Sequence, residues 1–400
     1  MAKPMTARKP HVVVVEPISR LGGAERSLIA LIAATIDHLS FTVLLPETGE
    51  LETELTAVGA TVEIVPWSRT LLALGERSAG YTVWSLSCAL PGLYRAVRDV
   101  RTAMERLSPD VVVTNGIKPH FVGSLAAGRR PRWPVIWYLR DSLDGRALSR
   151  RLFSRVSGRV RGAVAISNYI AADARTYLDP SIPVSVIYNI VDLSEQVQGH
   201  ATPLPPKAHD SIWFATIGAL TPLKGQDLFL RAAVRVSAEL PEARFLVVGS
   251  ASYQTETHLK YDDHLKQLTS ELGLSEKVLF LGHRGDVAAL LEQIDVVVQP
   301  NRGPEGFGRS VAEAMAAGIP VVASDGWGLA ELVDDGSTGW LVPTENIDRL
   351  AHRMIITGSD RELRHRLGAN GRARARKSFS QAQSAHEFHQ LITAICPNLT

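Results

Sequence analysis

The sequence predicts an α/β protein made of two doubly wound, parallel-sheet domains, and three observations predict it. Short β-rich runs alternate with helix-period segments along the chain. Some strand candidates, such as Val111-Val112-Val113, are continuously apolar, which suits strands buried on both faces. The alternation is broken over residues 196–210, where Gly199, Pro203, Pro205 and Pro206 lie in polar sequence and read as a linker. A length of 400 residues also suggests two domains.

In the first half, strands are predicted at 12–15, 41–45, 62–65, 111–114, 135–139, 163–166 and 184–187. Helices between them fall at 24–34, 85–106, 120–127 and 168–177. The rhythm restarts after the linker with strands at 212–217, 245–248, 278–281, 296–299 and 320–323. Helices there are predicted at 226–239, 257–272, 287–293 and 307–317. The expected organisation is a first domain over 1–195, a linker over 196–210, a second domain over 211–376 and a closing segment over 377–400. In open α/β sheets ligands bind at the carboxyl ends of the strands, so two such sheets facing each other place a site in the cleft between domains.

Composition narrows the classes. With 45% apolar and 21% charged residues, the chain is neither disordered, collagen-like nor coiled coil. Cys88 and Cys396 lie far apart and form no disulfide framework or ligand pair, which suits a reducing compartment. The basic start is followed only by a strand-sized apolar run at 12–15, and no 18 apolar residues run together. The sequence therefore reads as lacking a secretory leader and a membrane span, and a cytoplasmic location is expected. A net charge of +2 calls for no polyanionic partner, and no nucleic-acid-reading module is present.

The most informative segment runs from Gln299 to Gly318. A buried strand ends at Pro300, a glycine-rich loop follows, and a helix is expected to open near Phe307. Gly306 and Gly308 let backbone amides approach a ligand, and the unpaired amides of a helix start favour an anion such as a diphosphate. Glu305 lies just before that helix and Glu313 inside it. At 1.5 Å rise per residue the carboxylates stand roughly 10 Å apart. That separation suits hydroxyl groups on either side of a diphosphate, the alternative being two surface glutamates without a ligand. A second anion element is the loop from Gly218 to Gly225, where Lys224 offers a point charge to phosphate.

Further motifs accompany these: Leu21-Gly22-Gly23-Ala24-Glu25, Thr114-Asn115-Gly116-Ile117-Lys118, Tyr138-Leu139-Arg140-Asp141, Ile166-Ser167, Tyr188-Asn189-Ile190-Val191-Asp192, and Glu305-Gly306-Phe307-Gly308 followed by Glu313-Ala314-Met315. With them the chain resembles, over nearly its full length, family 4 glycosyltransferases of the GT-B fold. The resemblance implies a retaining transfer of sugar from a nucleotide-diphosphate sugar to a hydroxyl acceptor (a glycan, a lipid-linked molecule or a small molecule). The second domain would hold the donor and the first the acceptor. Carried over, Glu313 would hold the ribose, Glu305 the transferred sugar, and Lys224 the diphosphate, with Gly306, Phe307 and Gly308 amides nearby. Arg284 would lie near the base, the Gly22-Gly23 loop would approach the reaction centre, and the last helix would cross back to the first domain. Asn115, Lys118 and Arg140 are the acceptor candidates, and His120 reads as a helix-start residue.

The sequence departs from that family where Ala219 stands for a usual arginine and Tyr138 for a usual histidine. Trp327 and Ile190 likewise stand where glycine is usual. Arg284 or Arg309 could replace the missing charge; a non-catalytic sugar-nucleotide-binding protein or partner subunit is the rival reading. No Asp-x-Asp occurs and no His/Cys cluster has ligand spacing, so no metal or other cofactor is expected. The helix start and Lys224 then stabilise the departing diphosphate, with Tyr138 donating a hydrogen bond to the donor sugar. Asp141 is a candidate base or a partner of Arg140.

Between residues 129 and 161 ten arginines face only Asp141 and Asp144. From Arg146 to Arg161, Leu148, Leu152, Val156 and Val160 recur every fourth residue, with arginines on the other faces. This amphipathic pattern suits either a solvated face over a packed stripe or peripheral docking on an anionic membrane.

Overall fold

The computed structural model describes residues 8–72, 83–128, 132–191, 204–250 and 256–396. Arg129, Arg130, the Cys88 side chain and linker positions up to 203 lie outside the described residues. Two compact units result: one runs to Ile190 and takes in the chain from Gln381 onward, and the other is Val191–Ser380. Lys207, late in the predicted linker, bonds to the Gln293 carbonyl (3.0 Å) and Asp295 (2.5 Å), so this part lies on the second unit.

The first unit is a parallel sheet of β1 (His11–Val15), β2 (Ser40–Leu45), β3 (Thr61–Ile64), β4 (Val111–Asn115), β5 (Val135–Leu139), β6 (Gly162–Ala165) and β7 (Val184–Val186), ordered β3-β2-β1-β4-β5-β6-β7. Its crossovers carry α1 (Gly23–Thr35), α2 (Glu50–Ala57), α3 (Arg69–Leu72), α4 (Val83–Leu107), α5 (Ile117–Ala127), α6 (Ala147–Ser157) and α7 (Asn168–Ala174). Val12–Val15 and Val111–Val113 are essentially without solvent contact, as expected of strands covered on both faces.

The second unit orders its strands β10-β9-β8-β11-β12-β13: β8 (Trp213–Ile217), β9 (Arg244–Val248), β10 (Val278–Gly282), β11 (Val296–Gln299), β12 (Val321–Ser324) and β13 (Gly339–Val342). Around them lie α8 (Gln226–Glu239), α9 (Glu256–Glu271), α10 (Val287–Leu291), α11 (Arg309–Ala317), α12 (Leu329–Leu332), α13 (Ile347–Ser359) and α14 (Arg361–Ser378). Phe214, Phe229 and Phe245 form the middle of its core, with Phe229 edge-on to Phe245 at 5.8 Å. The last helix, α15 (Gln381–Ile395), belongs to the first unit: Ser384 Oγ donates to the Tyr188 carbonyl (3.0 Å) and Phe388 lies against Tyr138.

Both sheets reverse their winding at one point, between β1 and β4 in the first unit and between β8 and β11 in the second. The ends of those four strands, with the loops and helices that follow them, carry most of the residues singled out from the sequence. That is where a doubly wound sheet leaves a crevice for ligand.

Two features differ from expectation. α11 opens at Arg309 rather than near Phe307, because the Phe307 ring is buried edge-on against Phe379 at 5.5 Å and holds its backbone in the loop. The expected stripe holds at Val156 and, just beyond α6, at Val160, but not at its start: Leu148 is 47% exposed, and Ser149 and Phe153 face inward. A spacing of four advances about 40° beyond a full turn at each step, so a run of fours drifts off one face and Phe153 takes the core position.

Candidate active site

In the second unit two loops brace each other. After β8, a short 3-10 turn (Pro222–Lys224) leads into α8. After β11, the chain from Pro300 to Gly308 leads into α11. The Arg302 amide donates to the Leu223 carbonyl (2.8 Å), and the Arg302 guanidinium grips Asp227 at the start of α8, with Nη2 to Oδ2 at 2.6 Å. Tyr261 donates to the same Asp227 carboxylate (2.9 Å). These bonds hold the Asp227 carboxyl below its usual range despite its burial, while Arg302 is raised.

The bracing brings Lys224 and Glu305, far apart in sequence, into a direct ion pair between Nζ and Oε2. Glu313, one turn into α11, accepts from Arg309 Nε at 2.6 Å. Arg284 grips Asp286 with two hydrogen bonds of 2.7 and 2.6 Å, which lowers the Asp286 carboxyl. Each of these cations therefore stands against a carboxylate. Neither Arg284 nor Arg309 adds an uncompensated positive charge in place of the arginine lacking at Ala219, whose carbonyl accepts from Gln226 (2.9 Å).

Gly308 caps α11 with φ +97°, and a Cβ there would come within 2.5 Å of the Leu329 side chain, so the turn that starts the helix requires glycine. The first-turn amides of α11 have no acceptor within the helix. The Phe307 ring is core, which leaves only its backbone for a ligand. Trp327 takes φ +53°, in the left-handed region where glycine is relaxed and an indole-bearing residue is strained. The next amide, of Gly328, donates to the Glu305 carbonyl (2.9 Å) and ties this turn to the site.

The first unit holds a different kind of cluster. Glu16, just past β1, is only 2% exposed. One of its carboxyl oxygens accepts from Asn115 Nδ2 and the other from the Ile18 amide (3.3 Å). Asn115 Oδ1 accepts from Arg140 Nε (2.5 Å), and Arg140 Nη1 donates to Asn189 Oδ1 (3.1 Å). The guanidinium lies 4.7 Å over the Tyr138 ring, and its buried Nη2 has no partner among the described residues. Burial, and then the charge of Glu25, push the Glu16 carboxyl up to about 8; burial raises Glu25 as well. Glu25 is the third residue of α1, and its carboxylate reaches back to the Gly22 amide, where a Cβ would meet it at 2.6 Å. Half of a capping box thus closes the Gly22-Gly23 turn.

The other candidates fall as follows. Tyr138 is buried, stacked under Arg140 and raised by burial, so its phenol stays neutral. Lys118 Nζ donates to the Leu72 carbonyl. His120 is buried against Trp137, bonds through Nδ1 to Thr114 Oγ1 (2.7 Å) and is driven down to about 3 by burial. It is a neutral core residue. Asp141 is exposed at the end of β5, while Arg140 turns to Asn115 and Asn189. Sequence reasoning missed Glu16 as well as Gln299, Asn301, Asp227 and Arg302. For Glu16, Gln299 and Asn301 the available signal was a charged or amide side chain at or just past the end of an otherwise apolar strand; Asp227 in α8 and Arg302 in the loop carried none. Among the described residues no group of His, Cys, Asp and Glu is arranged to hold a metal ion, and no helix is long and apolar enough to cross a membrane.

Two family profiles match successive parts of the chain: Glycosyltransferase Family 4 over residues 21–195 and Glycosyl transferases group 1 over 204–374. The lipopolysaccharide core biosynthesis mannosyltransferase LpsB of Rhizobium meliloti is 34% identical over 164 residues, 40% of this chain and 46% of its own length. A D-inositol 3-phosphate glycosyltransferase of Mycobacterium marinum is 37% identical over 170 residues, 42% of this chain and 34% of its own. The chain thus spans less than half the length of these relatives. Among solved structures, Anabaena Alr3699/HepE in complex with UDP and glucose superposes with a TM-score of 0.78 at 23% identity, over 96% of this chain and 100% of that one.

Proposed function

The chain belongs to glycosyltransferase family 4 with the GT-B fold, and on that premise we propose a metal-independent, retaining transfer of sugar from a nucleotide-diphosphate sugar to a hydroxyl acceptor. The observation that carries the proposal is the pairing of Lys224 with Glu305 beside the capped start of α11. A diphosphate sugar presents both chemistries that this pairing can exchange. Its phosphates take the cations Lys224 and Arg309, and its hydroxyls take the carboxylates Glu305 and Glu313 that those cations release. The two cations then match the two charges of the diphosphate, the carboxylates they leave are held by hydroxyl donors, and Lys224 and the α11 amides face the negative charge that grows on the leaving diphosphate.

In this reading the leaving phosphate helps deprotonate the acceptor hydroxyl on the same face, Glu305 holds the transferred sugar, and Glu313 the ribose. Gly306, Phe307 and Gly308 contribute backbone amides, and Arg284 stands on the base side. The first unit supplies the acceptor side through the Gly22-Gly23 turn, Asn115, Lys118 and Arg140, with Asp141 at its rim. Tyr138, sealed beneath Arg140, supports that arginine in place of the direct donor contact expected from the sequence. UDP and glucose bound to Alr3699/HepE support a nucleotide-sugar donor. The relative named as a lipopolysaccharide mannosyltransferase supports a glycan or lipid-linked acceptor.

We extend the proposal to peripheral docking at the inner face of an anionic membrane through α6. Its outer face carries exposed Leu148 with the exposed Arg151 and Arg155, while Arg150 is tied to Asp144 and Asp173. Incubation with UDP, GDP and ADP sugars in EDTA should release nucleotide from one of them, and NMR of the product should show a retained anomeric configuration. Inversion would overturn the mechanism, dependence on added metal would overturn metal independence, and tight binding without turnover would leave a sugar-nucleotide sensor.

A further inference from the structure

Behind Glu305 lies a line of side chains that no step above uses. Gln299 closes β11 and Asn301 follows it by two residues; each is 1% exposed. Ser310 Oγ, on α11, donates to Gln299 Oε1 (3.2 Å). Gln299 Nε2 donates to Asn301 Oδ1 (2.6 Å), and Asn301 Nδ2 donates to Glu305 Oε2 (3.3 Å). The Asn301 backbone is fixed too, its carbonyl accepting from Ser324 Oγ at the end of β12 (2.8 Å).

The direction of this line is chemically determined. An ionised carboxylate only accepts, so it demands the amino end of Asn301. The Asn301 oxygen then demands a donor, and Gln299 supplies it by turning its own oxygen to the Ser310 hydroxyl. Lys224 and Asn301 meet the same oxygen of Glu305, which leaves Oε1 with no partner among the described residues. The two donors differ in what an entering diphosphate does to them. Lysine is drawn to phosphate, whereas a buried neutral amide is not.

We propose that Asn301, oriented by Gln299, is the positioning residue that keeps Glu305 aimed at the transferred sugar after Lys224 has moved to the diphosphate. The inference rests on the reading of Glu305 as the sugar-holding carboxylate and deepens it. Asn301 touches no ligand; it acts through Glu305, and its loss is felt by the sugar and not by the nucleotide.

The test is the ratio of dissociation constants for a nucleoside diphosphate and its hexose conjugate, by calorimetry with UDP and UDP-glucose, GDP and GDP-mannose, or ADP and ADP-glucose. Asn301→Leu keeps the shape without the donor. Asn301→Asp keeps the shape but sets a second carboxylate beside Glu305, which repels it and supplies no donor. Both variants should lower the preference for the hexose conjugate about tenfold, the effect of one hydrogen bond to a charged group. Affinity for the bare diphosphate should stay within about twofold, the resolution needed to separate the two effects. An unchanged preference, or equal weakening of both ligands, overturns the inference. Glu305→Gln is the control: if it leaves the preference unchanged, the reading of Glu305 fails and the inference with it. If Glu305→Gln lowers the preference and the Asn301 variants do not, only the inference fails.

Discussion

The two units keep their charged residues in opposite ways. In the second, Lys224 with Glu305 and Arg309 with Glu313 are part-buried ion pairs beside glycine-containing turns, and the proposed function has each cation and carboxylate change partner. In the first, Glu16, Asn115, Arg140 and Asn189 are buried and bonded to one another, and one guanidinium nitrogen of Arg140 is left without a partner among the described residues. On the proposed function, the contrast is between pairs that donor binding can open and a network that it leaves in place. Buried charges that lose a partner cost several kcal/mol, which keeps such a network in one arrangement.

The largest expected effect breaks the exchangeable side. Lys224→Ala or Glu305→Gln should each lower nucleotide release from the donor by about 10²–10³-fold, the range seen when a preorganised electrostatic contact is removed. A steady-state assay of each variant checks this. A similar loss from Arg284→Ala would move the emphasis to the other end of the site, since Arg284 is already matched by Asp286.

Next comes the brace between the two donor-side loops. Gly225 has φ +69°, and a Cβ on it would collide with the Pro300 carbonyl. Gly225→Ala should therefore cost about 3 kcal/mol in urea unfolding. A cost under about 0.5 kcal/mol, the level of an ordinary surface change, would mean the loops are not held together as described.

The fixed side shows itself through pH. The Glu16 carboxyl is raised in the folded protein from 4.5 to about 8. Its contribution to stability is thus complete below about pH 4.5 and is lost as pH rises through the folded value, by up to about 1.4 kcal/mol per unit. Glu16→Gln cannot titrate, so its stability relative to the wild type should improve steadily from pH 5 to 8. Parallel stability curves for the two proteins would show that Glu16 is ionised when folded.

The smallest effect concerns α6. Arg151→Gln and Arg155→Gln should each reduce binding to anionic vesicles at low salt by about 1 kcal/mol, a several-fold change in co-sedimentation. Equal recovery of the wild type on neutral and anionic vesicles would remove the membrane proposal.

Much of this was legible in the sequence. Runs such as Val12–Val15 and Val296–Gln299 announce buried parallel strands, and the glycines before the Glu313 segment mark a loop that leads into a helix. What stayed hidden depends on partners chosen in three dimensions. Nothing in the chain shows that Glu16 meets Asn115, 99 residues away, or that Arg302 reaches Asp227. The start of α11 was misplaced because Phe307 looks like a helix residue until Phe379 is there to bury it. Leu148 looked inward because a repeat of four is nearly, but not quite, helical. Helices α12 to α14 and strand β13 were not anticipated: polar sequence such as Arg361–Ser378 carries little apolar period, and its arginines bind carbonyls and acids of neighbouring elements, as Arg374 does with Glu331, Leu332 and Asp334.

The central claim is that donor binding exchanges partners within the second unit. A crystal structure of the protein with its nucleotide sugar tests it directly. The account predicts that Lys224 Nζ lies on diphosphate oxygens at the start of α11, with Glu305 Oε1 on a sugar hydroxyl and Oε2 still on Asn301. A nucleotide bound elsewhere, or Lys224 still joined to Glu305 with the diphosphate in place, would contradict it.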